Sequence, residues 1–191
     1  MSESKILIAC SVFADELRAV LPDGEIEEVI WLDTGLHAEP DKLEKQICLA
    51  GKAAMAKADN GAHPRLLLGC GCHPEIDKLA QSFGARPPAF KNCIEAFAGE
   101  RRIALEADRT MLITPGWVRD WPGRSSSSLG WDATEMRIQH GRYDRILLLD
   151  PGINPVSDEE IMELFDLIRV PIEKEPLDLS HFQQTLSDIL D

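Results

Sequence analysis

The sequence has no long hydrophobic run and no surplus of cations. No apolar stretch approaches the roughly 20 residues that a transmembrane helix needs. The first residues lack a basic segment followed by an apolar one, so they do not resemble a secretory signal peptide. With 20 Lys and Arg against 33 Asp and Glu, the net charge is −13 at pH 7, which disfavours contact with phosphate backbones and anionic lipids. We therefore expect a cytoplasmic protein with no nucleic-acid and no membrane partner.

The chain has five cysteines, Cys10, Cys48, Cys70, Cys72 and Cys93. In a reducing compartment these argue against a disulfide framework and leave metal binding, thiol chemistry or burial as their roles. Cys48 falls on the apolar face of a predicted helix, where burial is the expected role.

Short apolar runs alternate with segments of helical periodicity along all 191 residues. The pattern predicts strands at 5–9, 25–32, 66–68, 111–114, 145–149 and 170–172. It predicts helices at 14–20, 40–57, 75–83, 94–105, 157–167 and 180–190. Such alternation favours a single α/β domain over 1–191, with a mostly parallel sheet, helices on both faces and Rossmann-like layers. A Ser-rich stretch between tryptophans predicts a flexible loop insertion at about 118–131, either a mobile lid or a plain surface loop.

The stretch from Arg65 to Asp77 has the sequence Arg-Leu-Leu-Leu-Gly-Cys-Gly-Cys-His-Pro-Glu-Ile-Asp. Its leucines predict a buried strand, and Pro74 suits the first turn of the next helix. Two thiols and an imidazole therefore follow the end of a strand. Ligands of open α/β sheets bind outside the carboxyl ends of the strands, so we expect a site for a small-molecule ligand here.

Cysteines follow three separate predicted strands or extended segments. Cys10, Cys70 with Cys72, and Cys93 would converge at one edge of a parallel sheet. Thiolates from three loops can hold zinc or an iron–sulfur cluster, which leaves a fourth position for His37, His73, water or substrate. The spacing does not choose between the two metals.

Two weaker motifs offer other interpretations. The Gly69 to Cys72 loop resembles the first glycine-rich motif of S-adenosylmethionine-dependent methyltransferases, in which Gly69 and Gly71 would let a cofactor approach. The Asp33-Thr34-Gly35 triplet has the pattern found in aspartic proteases. This triplet and Asp150-Pro151-Gly152 are better explained as turns whose carboxylate caps backbone N–H groups or binds a polar ligand.

His63, His140 and His181 are not part of any recognisable ligand or catalytic motif, and we expect them to be solvated.

Several short segments, in this order and spacing, resemble the prokaryotic family called domain of unknown function 1638 (DUF1638). They are Ile8-Ala9-Cys10, Leu36-His37 with Pro40, Leu67-Leu68-Gly69 with Gly71-Cys72, Asn92-Cys93-Ile94 and Thr114-Pro115-Gly116-Trp117. The resemblance runs from about Ile6 to Leu190. It implies that Cys10, Cys72 and Cys93 are the family's cysteine set. Members are often encoded near corrinoid-dependent methyltransferase systems, which implies a role in one-carbon metabolism and a corrinoid or methyltransferase protein as partner.

The chain departs from the family's pattern at three places near the predicted site. Cys70 stands where tyrosine is common, His73-Pro74 where glycine is expected, and Lys91-Asn92 where a His-Asp or similar pair is usual. Cys70 or His73 is then a candidate for the fourth metal ligand.

The leading hypothesis is thus a metal-binding protein whose ligands are Cys10, Cys72 and Cys93, with Cys70, His73 or His37 as a further ligand. Gly69, Gly71, His37 and Trp117 are the candidates for contact with a cofactor. The alternatives are a metal-free S-adenosylmethionine-dependent methyltransferase and a non-catalytic partner of a corrinoid methyl-transfer assembly.

Overall fold

The computed structural model describes residues 5–21, 24–57, 63–124 and 131–191. Its strands are β1 Lys5–Cys10, β2 Ile26–Leu32, β3 Arg65–Leu67, β4 Thr110–Ile113, β5 Arg145–Asp150 and β6 Ile172–Pro176. Its α-helices are α1 Ala14–Val20, α2 Pro40–Lys57, α3 Ile76–Ser82, α4 Cys93–Ala98, α5 Arg101–Leu105, α6 Pro115–Arg124, α7 Ala133–His140, α8 Asp158–Ile168 and α9 Ser180–Leu190. Two short 3₁₀ helices lie at Ser11–Phe13 and Thr34–Ala38.

The described strands form two three-stranded sheets, with the orders β2-β1-β3 and β4-β5-β6. Every strand pair in them is parallel. The predicted α/β class with parallel strands and covering helices is therefore confirmed. The sequence pattern predicted one sheet, and it could not show that the strands divide into two.

Successive strand residues enter different hydrophobic clusters because side chains alternate between the two faces of a strand. Leu7 and Ala9 of β1 join a cluster that also holds Leu147 and Leu149 of β5, so this core is shared by both sheets. Other strand residues face two outer clusters. One of these contains residues of α2 and α3, and the other contains residues of α6, α7 and α8.

Three phenylalanines lie at the centre of the shared core. The ring centroid of Phe182, on the C-terminal helix α9, is 4.7 Å from that of Phe97 and 5.4 Å from that of Phe13. Phe13 directly precedes α1, in the segment that follows β1, and Phe97 lies on α4. The last helix is thereby packed against residues from the first half of the chain.

Most predicted elements lie where the sequence placed them. A capping box of Ser157 and Glu160 begins α8. The helix predicted for 94–105 is instead two helices, because Gly99 adopts φ 53° between them. The strand predicted at 170–172 begins later, at Ile172, after Arg169 ends α8 in the left-handed conformation.

The loop predicted for 118–131 is helical in its first part, because α6 extends from Pro115 to Arg124. Pro122 and Gly123 usually end helices, which is why the sequence suggested a loop. Residues 125–130 lie outside the described part of the chain. Helix α7 was also missed, although Asp132 and Glu135 form a capping box at its start.

None of the helices in the described segments combines the length and the hydrophobicity that a membrane-spanning helix needs.

Candidate functional site

A cavity of about 160 Å³ lies at the carboxyl end of the first sheet. Its lining includes three of the predicted thiols, Cys10, Cys72 and Cys93. We call it the thiol cavity. The other lining residues are Val12, Phe13, Asp33, Thr34, His37, Leu43, Leu68, Gly69, Gly71, Asn92 and Trp117. All four residues predicted to contact a cofactor are therefore among those at the cavity.

Main-chain hydrogen bonds bring the second and third thiols together. The N–H of Cys70 donates to the Phe90 carbonyl at 2.8 Å, and that of Gly71 donates to the Lys91 carbonyl, also at 2.8 Å. The segment that leads to Cys93 therefore lies along the loop that carries Cys72. Asn92 then caps α4, since its side-chain oxygen accepts from the N–H of Glu95 at 2.9 Å, and Cys93 is the first residue of that helix.

Gly69 and Gly71 make this close approach possible. A Cβ atom on Gly69 would overlap the carbonyl oxygen of Lys91, and one on Gly71 would lie 2.9 Å from the same oxygen. Both glycines are thus explained by contact with the protein's own backbone. The structure gives no separate reason to assign them to a cofactor.

Cys10 ends β1 and belongs to a small polar network. Its sulfur lies 3.8 Å from the Thr34 hydroxyl, which is itself 2.7 Å from the Ser11 hydroxyl. The N–H of Thr34 donates to Ser11 Oγ at 3.0 Å. This network joins the segment after β1 to the 3₁₀ helix after β2, so both neighbouring strand ends are fixed at the cavity.

His37 and Trp117 face each other at the cavity, with ring centroids 5.5 Å apart. His37 Nδ1 lies 2.5 Å from the Thr34 carbonyl oxygen. A carbonyl only accepts hydrogen bonds, so Nδ1 carries the proton and a neutral ring keeps its lone pair at Nε2. His37 is therefore a possible ligand through Nε2.

Burial makes the cavity thiols weak acids. It raises the pKa of Cys93 to about 12, and electrostatic repulsion from Cys10 and Cys72 adds to the effect, whereas a hydrogen bond with Trp117 opposes it. Burial also raises the pKa of Cys72, a hydrogen bond from the Gly69 backbone opposes this, and Cys70 raises it further. At neutral pH both groups are protonated thiols.

The other predicted ligands lie elsewhere. Cys70 is exposed, and neither it nor His73 is among the described residues that line the thiol cavity. His73 is buried, its Nδ1 accepts from the N–H of Glu75 at 3.1 Å, and its Nε2 lies 4.0 Å from a carboxylate oxygen of Glu44. The Nδ1 lone pair of His73 is therefore used in a hydrogen bond with the backbone just before α3.

Cys48 is partly buried and packs against the outer cluster of the first sheet.

The three cavity thiols do not form a ready metal-binding arrangement. Within the described residues, no group of three or more His, Cys, Asp or Glu side chains is arranged to hold a metal ion. Cys10, Cys72 and Cys93 share a cavity without surrounding one point as ligands would. Binding of a metal ion there requires these side chains to turn toward a common centre.

The two Asp-containing turns and His140, one of the three histidines expected to be solvated, have different outcomes. Asp33 accepts from the N–H of Gly35 and Asp150 from that of Gly152, each at 2.8 Å, which confirms the predicted capping turns. The prediction for His140 was wrong, because that ring is buried and its Nδ1 donates to the Met136 carbonyl at 2.7 Å.

Asn92 belongs to the site, although the sequence suggested it only as part of a family segment and not as a residue of the cavity. It lines the thiol cavity and fixes the start of the helix that carries Cys93. An Asn directly before a helix is a recognisable N-cap signal, so this signal could have found it.

A family model described as a protein of unknown function (DUF1638) matches residues 31–186 of the chain. The matched range includes Cys72, Cys93, His37 and Trp117, whereas Cys10 precedes it. No curated protein matches the chain, and no solved structure matches it.

Proposed function

Because the chain belongs to the DUF1638 family, whose description names no activity, we propose a function from the site itself. We propose that the protein binds a thiophilic metal centre, zinc or an iron–sulfur cluster, through Cys10, Cys72 and Cys93. His37 is the proposed fourth ligand. The proposal places the protein in the cytoplasm, where a reducing environment keeps these cysteines as thiols.

The observation that carries the proposal is that three thiols from three distant segments line one small cavity. A single buried cysteine is ordinary packing, but three at one cavity form a donor set that zinc and iron both accept. His37 adds a nitrogen ligand whose Nδ1–H is already held by the Thr34 carbonyl, as metal-bound histidines commonly are.

The protonation of the thiols predicts how binding depends on pH. Because burial keeps Cys93 and Cys72 protonated at neutral pH, a bound metal ion must displace their protons. Proton release accompanies binding, so affinity falls as the pH is lowered. Trp117, which donates to Cys93, favours the thiolate form and hence the bound state.

A thiolate held by a metal remains nucleophilic at neutral pH, and this is the chemistry that the centre would supply. We propose a small thiol or a methyl-bearing compound as the ligand, and a corrinoid or methyltransferase protein as the partner. The apolar wall of Val12, Phe13 and Leu68 at the cavity suits a methyl group better than a charged substituent.

The test is elemental analysis with an absorption spectrum on protein prepared without oxygen. We expect metal in near-equal amount to protein, with visible absorption for an iron–sulfur cluster and none for zinc. Cys72→Ser and Cys93→Ser should lose the metal while keeping the wild-type circular dichroism spectrum.

Cys48→Ser is the matched control, because Cys48 is not among the described residues that line the thiol cavity and should not affect the metal content. Absence of metal from the wild-type protein, also after incubation with zinc or with iron and sulfide, would contradict the proposal. Metal content in the Cys72→Ser and Cys93→Ser variants equal to that of the wild type would also contradict it.

A further inference from the structure

We infer that Cys70 and Cys72 form a reversible disulfide with low-molecular-weight disulfides as oxidant, and that this disulfide withdraws Cys72 from the thiol cavity. The regulatory part of this inference rests on the proposed function. Formation of the disulfide does not, since it requires only the two thiols and an oxidant.

The two cysteines differ in access to solvent. Cys70 is the only exposed cysteine of the five, all of which are described, whereas Cys72 is partly buried and lines the cavity. A disulfide in solution therefore reaches Cys70 first. Cys72 faces the interior, where it is available as the second thiol of a pair.

The backbone holds the pair within bridging range. The N–H of Cys72 donates to the Gly69 carbonyl at 3.0 Å, so residues 69–72 form a single turn. Only Gly71 separates the two cysteines, and consecutive Cα atoms are about 3.8 Å apart. Two such steps folded into a turn bring the Cα atoms within the roughly 7 Å limit for a disulfide.

The other thiols are held differently. Cys10 is fixed at the end of β1 by a hydrogen bond with the Thr34 hydroxyl, and Cys93, which is partly buried, begins α4 and accepts a hydrogen bond from Trp117. Electrostatic interaction with Cys70 also raises the pKa of Cys72. The exposed Cys70 is thus paired with Cys72, and not with Cys10 or Cys93.

The reaction takes place in two exchange steps. The Cys70 thiolate attacks one sulfur of the oxidant, which forms a mixed disulfide and releases one thiolate. The Cys72 thiolate then attacks the Cys70 sulfur and releases the second thiolate. Two protein thiols are oxidised, one small disulfide is reduced to two thiols, and the two protein protons pass to solvent or to the released thiolates.

The ring closed by this bond is short, and strained exposed disulfides are readily reduced. A small thiol in excess therefore reverses the reaction. While the bond exists, the sulfur of Cys72 cannot act as a thiolate ligand, so one of the three proposed metal ligands is lost.

The experiment uses the full chain, reduced and freed of metal, with oxidised glutathione as the oxidant. We expect the intact mass to fall by two hydrogen atoms and to return after treatment with reduced glutathione. Trypsin cleaves after Arg65 and Lys78, so the peptide 66–78 contains Cys70 and Cys72, and the other three cysteines fall in three different peptides. The bond should lie within peptide 66–78.

Cys70→Ser should abolish this internal bond, and Cys48→Ser should leave it unchanged. A stable glutathione adduct on Cys70 that does not close, or a bond that joins peptide 66–78 to the peptide of Cys10 or Cys93, would overturn the inference. Because this measurement is made without metal, it does not depend on the proposed function.

A second measurement addresses regulation. Zinc-loaded protein is treated with oxidised glutathione, and released zinc is measured with a coloured chelator. We expect loss of zinc from the wild-type protein and retention in Cys70→Ser. If the wild type forms the internal disulfide but never binds metal, the proposed function fails and the disulfide stands. If it binds metal but forms no internal disulfide, or keeps its zinc after the disulfide forms, the regulatory inference fails.

Discussion

The two sheets are both three-stranded and parallel, but they differ in strand order and in the residues at their carboxyl ends. The end of the first sheet carries thiols at the last residue of β1 and after β3, and all five cysteines occur before residue 94. In the second sheet, Trp117 follows β4 and Asp150 ends β5. The Asp150 carboxylate accepts a hydrogen bond from the N–H of Gly152. We call the part of the molecule built on β1, β2 and β3 the first half and the part built on β4, β5 and β6 the second half. The chemistry of each half therefore depends on the residues at its strand ends, and not on the three-stranded parallel sheet itself.

The second half nevertheless completes the site. Helix α6 places Trp117 against His37 and beside Cys93. The same helix is attached to the first half by Arg119, which donates to a carboxylate oxygen of Asp15 at 3.1 Å. That oxygen also accepts from Asn154 at 2.8 Å. One half thus supplies the thiols, and the other supplies an aromatic wall held by a polar network.

The largest effect is expected where the two halves share a core. Phe182→Ala removes a buried ring from the cluster with Phe13 and Phe97, and such truncations cost about 3–5 kcal/mol. We expect a lower urea midpoint with one cooperative transition, seen alike by circular dichroism and tryptophan fluorescence. Two separate transitions would show that the halves unfold independently, and a loss far below this range would show that the Phe182 ring contributes little to the shared core.

The next effect concerns Glu16, a buried carboxyl on α1. Burial raises its pKa from 4.5 to about 7, repulsion from Asp15 and Asp150 adds to this, and Arg119 and a hydrogen bond from its own backbone oppose it. In the unfolded chain the group ionises near 4.5 and in the folded chain near 7. The folded state therefore loses stability as pH rises between these values, by roughly 3 kcal/mol.

Glu16→Gln removes this cost. We expect the variant to be more stable than wild type at about pH 8 and nearly equal to it at about pH 4.5, where the folded wild-type carboxyl is neutral. Urea unfolding at several pH values checks this. An equal difference at every pH would show that burial does not raise the pKa of Glu16 in the folded state.

The smallest effect compares two glycines that follow strands in different halves. Gly69→Ala would force a Cβ onto the Lys91 carbonyl within the first half, and Gly116→Ala would place one 2.5 Å from the Val12 carbonyl across the two halves. We expect each to destabilise by about 1–3 kcal/mol. Gly69→Ala should also change the alkylation rates of Cys72 and Cys93, because it separates the segments that carry them.

Mass spectrometry of the alkylated peptides gives these rates, and thermal unfolding gives the stabilities. Gly116→Ala should alter mainly the rate of Cys93, the thiol beside Trp117. Identical changes at both thiols in both variants would remove the distinction between the halves.

Most elements could be predicted from the sequence because their signals are local. The apolar run at 145–149, the Pro40 start of α2 and the Ser157 cap each act over a few residues. The meeting of distant thiols could also be predicted, since parallel strands end at a common edge. The choice of strand partners could not, because pairing depends on contacts between segments far apart in the chain.

His73 shows why ligand assignment from sequence is harder. Its position beside Cys72 suggested a metal ligand, yet the chain turns into α3 at that point and the ring bonds to the backbone of Glu75. The Lys91 carbonyl beside Gly71 is equally invisible in the sequence, because any residue type could provide it.

The hydrogen bonds to the carbonyls of Phe90 and Lys91 determine which positions near this site can change without separating the cysteines. They belong to the main chain, so replacing either side chain leaves both acceptors in place, provided that the backbone keeps its course. Descendant sequences are thus free to exchange these two residues while the cysteines still meet. The restriction falls instead on Gly69 and Gly71, where any larger residue would push the strand end and its neighbour apart.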